Sequence, residues 1–220
     1  MATPVRIPLF IEFSGKRVLV LGGGYTATKR AEKFLAAGSF VTVIAMEVSN
    51  DLMKLRGNSN MDILISDLRL LDVDFIMHGF DLVVYAVPDE ELRIRIKRAV
   101  SRNRVLFNDA TDSVETEVVV PFDGDYMGVR IAVTTEGKSG VAARAVRDYL
   151  IDTLSSSPDM GNFISVWYIV KEKIKNSVDS PGKRMRIYMR LRDDESFKSL
   201  ARSGRVEDAL HYVEEVIRNG

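Results

Sequence analysis

Arg17-Val18-Leu19-Val20-Leu21-Gly22-Gly23-Gly24-Tyr25-Thr26-Ala27 decides the fold. After Arg17, Val18-Leu19-Val20-Leu21 is an unbroken apolar run, half of it β-branched, with no polar alternation, the pattern of a strand buried on both faces of a sheet. The strand stops at glycines. Residues 25–37 then carry Ala27, Ala31, Phe34 and Leu35 at helical spacing, and Gly38 closes the helix as a C′ residue does. Within the turn, Gly22, Gly24 and Ala27 match G-x-G-x-x-A. The first glycine permits the tight turn, the second lets backbone approach a pyrophosphate, and the small third residue lets helix and strand pack closely. N–H groups opening the helix, together with its dipole, face the phosphates. Between a buried strand and a helix the motif predicts a dinucleotide site at Gly22, Gly23, Gly24, Tyr25, Thr26 and Ala27. The plainer reading is a tight βα turn.

Outward from this stretch, short apolar runs alternate with helical patterns, the signature of a helix-covered parallel sheet. Further strands are predicted at 40–45, 61–65, 80–86 and 104–108, with a helix over about 89–102. After Asn108 the rhythm changes: 117–122 and 129–134 read as two strands joined by a turn at Asp123-Gly124-Asp125. A helix over 140–154 follows, broken by Ser155-Ser156-Ser157-Pro158, and 159–220 is helical in pattern with a polar break at 176–182. The fold class is therefore α/β: a Rossmann-type parallel-sheet domain over 1–112, a small β-containing region over 113–150 and a helical C-terminal domain over 151–220.

The 220 residues are 46% hydrophobic and 28% charged, enough to bury a real core. Lys+Arg and Asp+Glu each total 31, and a net charge of zero argues against a general nucleic-acid binder. The absence of cysteine removes disulfides, thiolate nucleophiles and cysteine-based metal sites. His78 and His211 have no partner at ligand spacing, so no metal site is expected and acid–base work falls to Asp, Glu, Lys or Tyr. No signal peptide and no span of roughly 20 apolar residues is read, so a soluble, cytoplasmic protein without a membrane partner is expected.

An acid about 20 residues beyond the glycines would bind ribose hydroxyls. Glu47, just past the second strand, is the candidate, with a solvated loop charge as the alternative. No Arg or Lys occupies that turn, which favours NAD over NADP.

Four further features, in order and in register over about residues 5–150, resemble the precorrin-2 dehydrogenase family, the N-terminal part of sirohaem synthases. Pro8-Leu9-Phe10 with Gly15-Lys16-Arg17 and the strand into Gly22-Gly23-Gly24 resembles the family's opening. Val83-Val84-Tyr85-Ala86-Val87-Pro88-Asp89-Glu90-Glu91-Leu92 resembles its A-T-D-D-x-x-L-N segment. Phe107-Asn108-Asp109-Ala110-Thr111-Asp112, with Pro121 beyond, resembles V-N-x-x-x-D followed by F-x-x-P. Thr134-Thr135-Glu136-Gly137-Lys138-Ser139-Gly140, leading to Ala143-Arg144 and Arg147, resembles S-T-G-G-K-S-P and its A-R-x-x-R helix. Val87 stands where the pattern has Thr, Glu136 where it has Gly, and Gly140 where it has Pro.

The resemblance implies NAD-dependent oxidation of precorrin-2 to sirohydrochlorin in sirohaem (porphyrin-type) biosynthesis, by an oxidoreductase acting as a homodimer through the middle region. It places the single important carboxylate at Asp112, beyond the carboxyl end of a strand, where open α/β sheets bind ligands; the alternative is an Asx-turn. Asn108 becomes a polar contact for the nicotinamide side, with Ala86, Val87 and Pro88 passing the cofactor. Asp89 reads as a helix N-cap. Precorrin-2 is rich in carboxylates, so Thr135, Lys138, Ser139 and Arg144 become substrate candidates, against a solvated loop and local ion pairs. A bifunctional dehydrogenase and ferrochelatase, and a nucleotide-sensing Rossmann module without catalysis, are the alternatives. The cationic run Lys183, Arg184, Arg186, Arg190 and Arg192 reads as a solvated face with carboxylate binding as the alternative, and Trp167 and Tyr168 as core or interface.

Overall fold

The structure, a computed structural model, describes residues 6–219. It divides into two compact units: one holds the chain up to Val120 together with Thr134–Ser139, the other Pro121–Val133 together with the chain from Gly140.

In the first unit, β1 (Arg17–Leu21), β2 (Phe40–Ala45), β3 (Met61–Ile65), β4 (Leu82–Tyr85) and β5 (Leu106–Asp109) form a parallel sheet in the order β3-β2-β1-β4-β5. The order reverses at β1, which puts the glycine turn at the topological switch point. Leu21 registers with Ile44 on one side and Tyr85 on the other, and Tyr85 with Asp109, so four strands end along one carboxyl edge. The lack of alternation has its reason here, since Val18, Leu19, Val20 and Leu21 are all fully buried. Val18 and Val20 pack with Ala27, Ala31 and Phe34 of α1 (Tyr25–Ala36), whereas Leu19 and Leu21 pack with Leu92, Ile96 and Val100 of α4 (Glu90–Asn103). Short helices α2 (Asn50–Lys54) and α3 (Val73–Ile76), with 3-10 turns at Leu55–Gly57 and Leu68–Leu70, fill the connections. Strand β5 starts two residues later than predicted because Arg104 caps α4 in the left-handed region at φ 55.

The second unit opens with the antiparallel pair β6 (Phe122–Tyr126) and β7 (Val129–Val133). The turn lies at Met127-Gly128, with φ of 52 and 80, and not at Asp123-Gly124-Asp125. Two consecutive positive φ angles suit a two-residue hairpin whose twist matches its strands. Gly124 serves strand packing instead: a Cβ there would stand 2.9 Å from Ile151 Cγ1 of α5 (Gly140–Ser155). Helices α6 (Pro158–Ser177), α7 (Pro181–Asp193), α8 (Glu195–Arg202) and α9 (Val206–Arg218) complete the unit. Their core gathers Val170, Ile174, Leu191, Phe197 and Val213. Trp167 joins it, edge-on to Phe197 at 5.1 Å between ring centroids, as a packing residue. Pro158 opens α6 at its first turn, where the missing N–H is harmless, so the predicted break is brief.

Contacts divide the chain in two, where the sequence reading divides it in three by role. Position 112 falls inside the first unit and position 150 inside α5.

Candidate active site

The glycine turn is built for close approach. Gly22 sits at φ 117, and a Cβ there would be 2.6 Å from the carbonyl oxygen of Ala86. A Cβ on Gly23 would overlap the carbonyl oxygen of Glu47. Gly22 N–H donates to Ile44 O (2.9 Å) and Ser49 N–H to Gly23 O (2.8 Å), which fixes the turn against the end of β2. Gly24 differs: nothing lies within 4 Å of its Cβ position. It is the N-cap of α1, no side chain caps the helix there, and no acid occupies its first turn. The first N–H groups of α1, around exposed Tyr25 and Thr26, are left for an anion. Ala27 is buried and sets the helix against the sheet. The Thr28 hydroxyl donates to Gly24 O at 3.0 Å and lies 3.0 Å from the Ser49 hydroxyl, bracing the turn from behind.

Beside the turn lies a cavity of about 260 Å³. Gly22, Gly23 and Gly24 form one wall, Met46 and Glu47 a second, and Ala86, Val87 and Pro88 a third. The structure thus brings Glu47 to the glycines despite its late position in the sequence. Ser66, Asp67 and Arg69 close the cavity. Sequence reasoning missed these three, which follow β3 in a segment with no motif of its own. Arg69 pairs with Asp89 at 2.5 Å, and the same carboxylate accepts Leu92 N–H at 2.9 Å, the N-cap role expected of it.

Asn108 is 3% exposed; its Nδ2 donates to Val118 O (2.7 Å), whereas its buried Oδ1 has no partner. An orphaned buried acceptor costs about 1–3 kcal/mol. It suits a ligand that brings an N–H, as the carboxamide of nicotinamide does. The cramped Gly22, the open Gly24, the uncapped helix and this acceptor together fit a dinucleotide.

Asp109 and Asp112 follow at the same edge with different duties. The Asp109 side chain is fully buried, and its Oδ1 accepts Thr111 N–H (2.9 Å), Thr111 O–H (2.7 Å) and Asp112 N–H (3.1 Å). It organises the loop. The Asp112 side chain retains 35% of its exposure. Its Oδ1 accepts Val114 N–H (2.8 Å) and Glu115 N–H (3.2 Å), and its Oδ2 receives Arg93 Nη1 at 3.0 Å. The backbone donors, with the Arg93 guanidinium behind them, hold the Asp112 carboxyl below the usual carboxylate range.

This loop is joined to Thr134–Ser139. The Arg6 guanidinium pairs with Glu136 and donates to Ser113 O (3.1 Å) and Thr116 O (2.7 Å). A Cβ on Gly137 would overlap the Ser113 hydroxyl, so the two loops touch where only glycine fits. Glu136 and Gly137 have φ of 53 and 82, the region glycine adopts freely, which is why a Gly-Gly pair suits these positions. The Thr135 hydroxyl is spent within the loop, accepting Ser139 N–H and donating to Ser139 O, both at 2.9 Å. Lys138 is exposed. Arg144 belongs to the second unit, where its guanidinium covers the Phe122 ring at 5.6 Å, and Arg147 pairs with Asp148 at 2.6 Å. Among the described residues no group of three His, Asp or Glu side chains could hold a metal.

The family described as “Putative NAD(P)-binding” matches residues 9–122, more than half of the chain. A protein of Methanocaldococcus jannaschii described as “Putative precorrin-2 dehydrogenase” is 25% identical over 87% of this chain and 92% of its own length. The siroheme synthase of Photorhabdus laumondii is 26% identical over 95% of this chain. The chain spans 43% of that relative's length. Among solved structures, “SirC, precorrin-2 dehydrogenase” superimposes with a TM-score of 0.66 at 18% identity, covering 98% of this chain and all of the other, and shows the same fold.

Proposed function

The chain belongs to the family described as “Putative NAD(P)-binding”, and on that premise we propose that it is an NAD-dependent oxidoreductase that converts precorrin-2 to sirohydrochlorin in sirohaem biosynthesis. One observation carries the reading: the dinucleotide turn at Gly22–Gly24 and the Asp109–Asp112 loop leave β1 and β5, the parallel strands on either side of β4, at one carboxyl edge, and Asp112 is the exposed one of that loop's two aspartates. The relatives' names supply the substrate.

In this reading Gly22, Gly23, Gly24, Tyr25, Thr26 and Ala27 receive the pyrophosphate, Glu47 the ribose hydroxyls, and Asn108 Oδ1 the nicotinamide carboxamide. Ala86, Val87 and Pro88 form the wall beside them. When bound, NAD supplies a hydride acceptor. The chain then needs one base and anion receptors. Asp112, ionised at neutral pH, accepts the proton that leaves the macrocycle carbon. Lys138 and the Ser139 end of its loop receive substrate carboxylates, with Thr135 shaping the loop. Assembly as a homodimer, through the region over 113–150, and a cytoplasmic location belong to the same proposal. Among the described residues no helix is long and apolar enough to cross a membrane.

The test is a nicotinamide absorbance assay with precorrin-2, NAD and the intact protein, repeated with Asp112→Ala. NADH formation that falls by two to three orders of magnitude in the variant, as loss of a general base predicts, supports the reading. No NADH from the intact protein, with NAD still bound, turns it to a nucleotide-sensing module. Ferrous ion added after the first step reports whether the same site also inserts metal.

A further inference from the structure

We propose that Arg93 is the positioning residue of this site: its guanidinium, seated between Glu90, Asp109 and Asp112, fixes the Asp112 carboxylate in one orientation. The proposal rests on the role given to Asp112 above.

Arg93 lies one turn into α4, and only 14% of its side chain is exposed. Nη1 reaches both Asp112 Oδ2 (3.0 Å) and Asp109 Oδ2 (3.4 Å), while Nε and Nη2 fork onto the two oxygens of Glu90 at 2.9 and 2.5 Å. Three carboxylates around one cation exclude an ordinary role as substrate receptor, because Nε, Nη1 and Nη2 are each already engaged by one of them. The arrangement has instead a rigid side and an open side. Asp109 is buried and locked by Thr111, and Glu90 is anchored in the first turn of α4. Asp112 alone among the three is both partly exposed and placed in the loop that faces the edge. Arg93 therefore ties Asp112 Oδ2 to α4 and β5, while the N–H groups of Val114 and Glu115 hold its Oδ1 from the loop itself.

The other charged groups facing this cluster are few. From β4, Tyr85 donates its hydroxyl to Asp89 O at 2.6 Å, and burial pushes its phenol up, so it stays neutral. One turn further along α4, Lys97 pairs with Glu115 of the same loop. From the N-terminal segment, Arg6 engages the loop's carbonyl groups and Glu136 but no Asp112 oxygen. Among the described residues Arg93 is thus the cation paired with Asp112.

Two measurements test the assignment. The first is the carboxyl carbon-13 titration of Asp112 in the intact protein, in Arg93→Gln and in Arg93→Lys. We expect Asp112 to titrate below the ordinary aspartate value near 3.9 in the intact protein, to move up in Arg93→Gln, and to fall between in Arg93→Lys. The second is the pH profile of kcat for NADH formation. Its acid limb should move up with the titration while KM for NAD is unchanged, and kcat should fall about tenfold in Arg93→Gln and recover in part in Arg93→Lys. An Asp112 titration identical in folded Arg93→Gln and intact protein overturns the proposal. If Arg93→Gln does not fold, Arg93→Lys decides, since an unmoved titration and acid limb there overturn it equally. If the intact protein makes no NADH, the dehydrogenase reading fails, and the titration still judges the Arg93–Asp112 link.

Discussion

The carbonyl oxygen of Ala86 stands 2.6 Å from where a Cβ of Gly22 would be, so the end of β4 presses on the turn after β1 and leaves no room for any side chain. The main chain just beyond β4 is thereby in contact with the glycine turn at Gly22 and not at Gly24, and this makes the glycines unequal.

Gly22→Ala should lower stability by roughly 2–4 kcal/mol, because it combines an overlap with backbone and a positive φ. Gly24→Ala should leave the melting temperature within a degree or two, since its Cβ position is empty, yet weaken NAD binding about tenfold or more by filling the space the phosphates need. Thermal melts and NAD titration by calorimetry separate the two. A Gly24→Ala protein that binds NAD normally removes the pyrophosphate from this turn.

Asp109 and Asp112 should separate in the same way. Asp109→Ala strands the Thr111 and Asp112 donors in a buried site and should cost roughly 2–4 kcal/mol. Asp112→Asn keeps most of the loop contacts and should cost about 1 kcal/mol or less while abolishing most turnover. Denaturant unfolding alongside the absorbance assay checks both.

Arg6→Ala removes the cation that holds the carbonyls of Ser113 and Thr116 and pairs with Glu136. Amide hydrogen exchange over 113–116 and 134–139 should quicken about tenfold, the effect of losing roughly 1–2 kcal/mol of local stability. Exchange over β1 and β2 should stay as it was.

Stability of the helical unit should fall on acidification through Asp194. Its carboxylate caps α8 by accepting Phe197 N–H at 3.0 Å and receives the Tyr212 hydroxyl at 2.5 Å, and these donors, Tyr212 first, hold it below the ordinary value. A lowered folded-state value means the contribution is complete above the unfolded value near 3.9 and is lost as pH falls through the folded one. Tyr212→Phe should therefore lower the melting temperature at neutral pH and flatten its decline between about pH 4 and pH 2. An unchanged slope would show that the Tyr212 hydroxyl contributes nothing to this titration.

Much of the first unit was legible because its signals are local. A short apolar run ended by glycines reads as a doubly covered strand, and three glycines followed by helical spacing read as a βα turn, so β1 and α1 follow from residues 17–37, whereas the switch point needed the strand order. The hairpin shows the limit of local signals. Asp123-Gly124-Asp125 has turn composition, but Gly124 is small because α5 lies against β6, and the turn went to Met127-Gly128.

The sequence by itself determined the parallel sheet, the glycine turn after its first strand and the absence of thiol chemistry, since each depends on residue type and spacing along a few turns of chain, whereas Asp112 became a candidate through the resemblance to a family. Only the tertiary structure decided which of two neighbouring aspartates is locked and which is reachable. It also decided that Ser66, Asp67 and Arg69 join the glycines, that Glu136 answers to Arg6, and that Arg93 holds Asp112. These pairings link residues distant in the chain and carry no periodicity. They exist because strands ending at one edge bring their loops within hydrogen-bonding reach, where direction and distance, and not composition, select the partner.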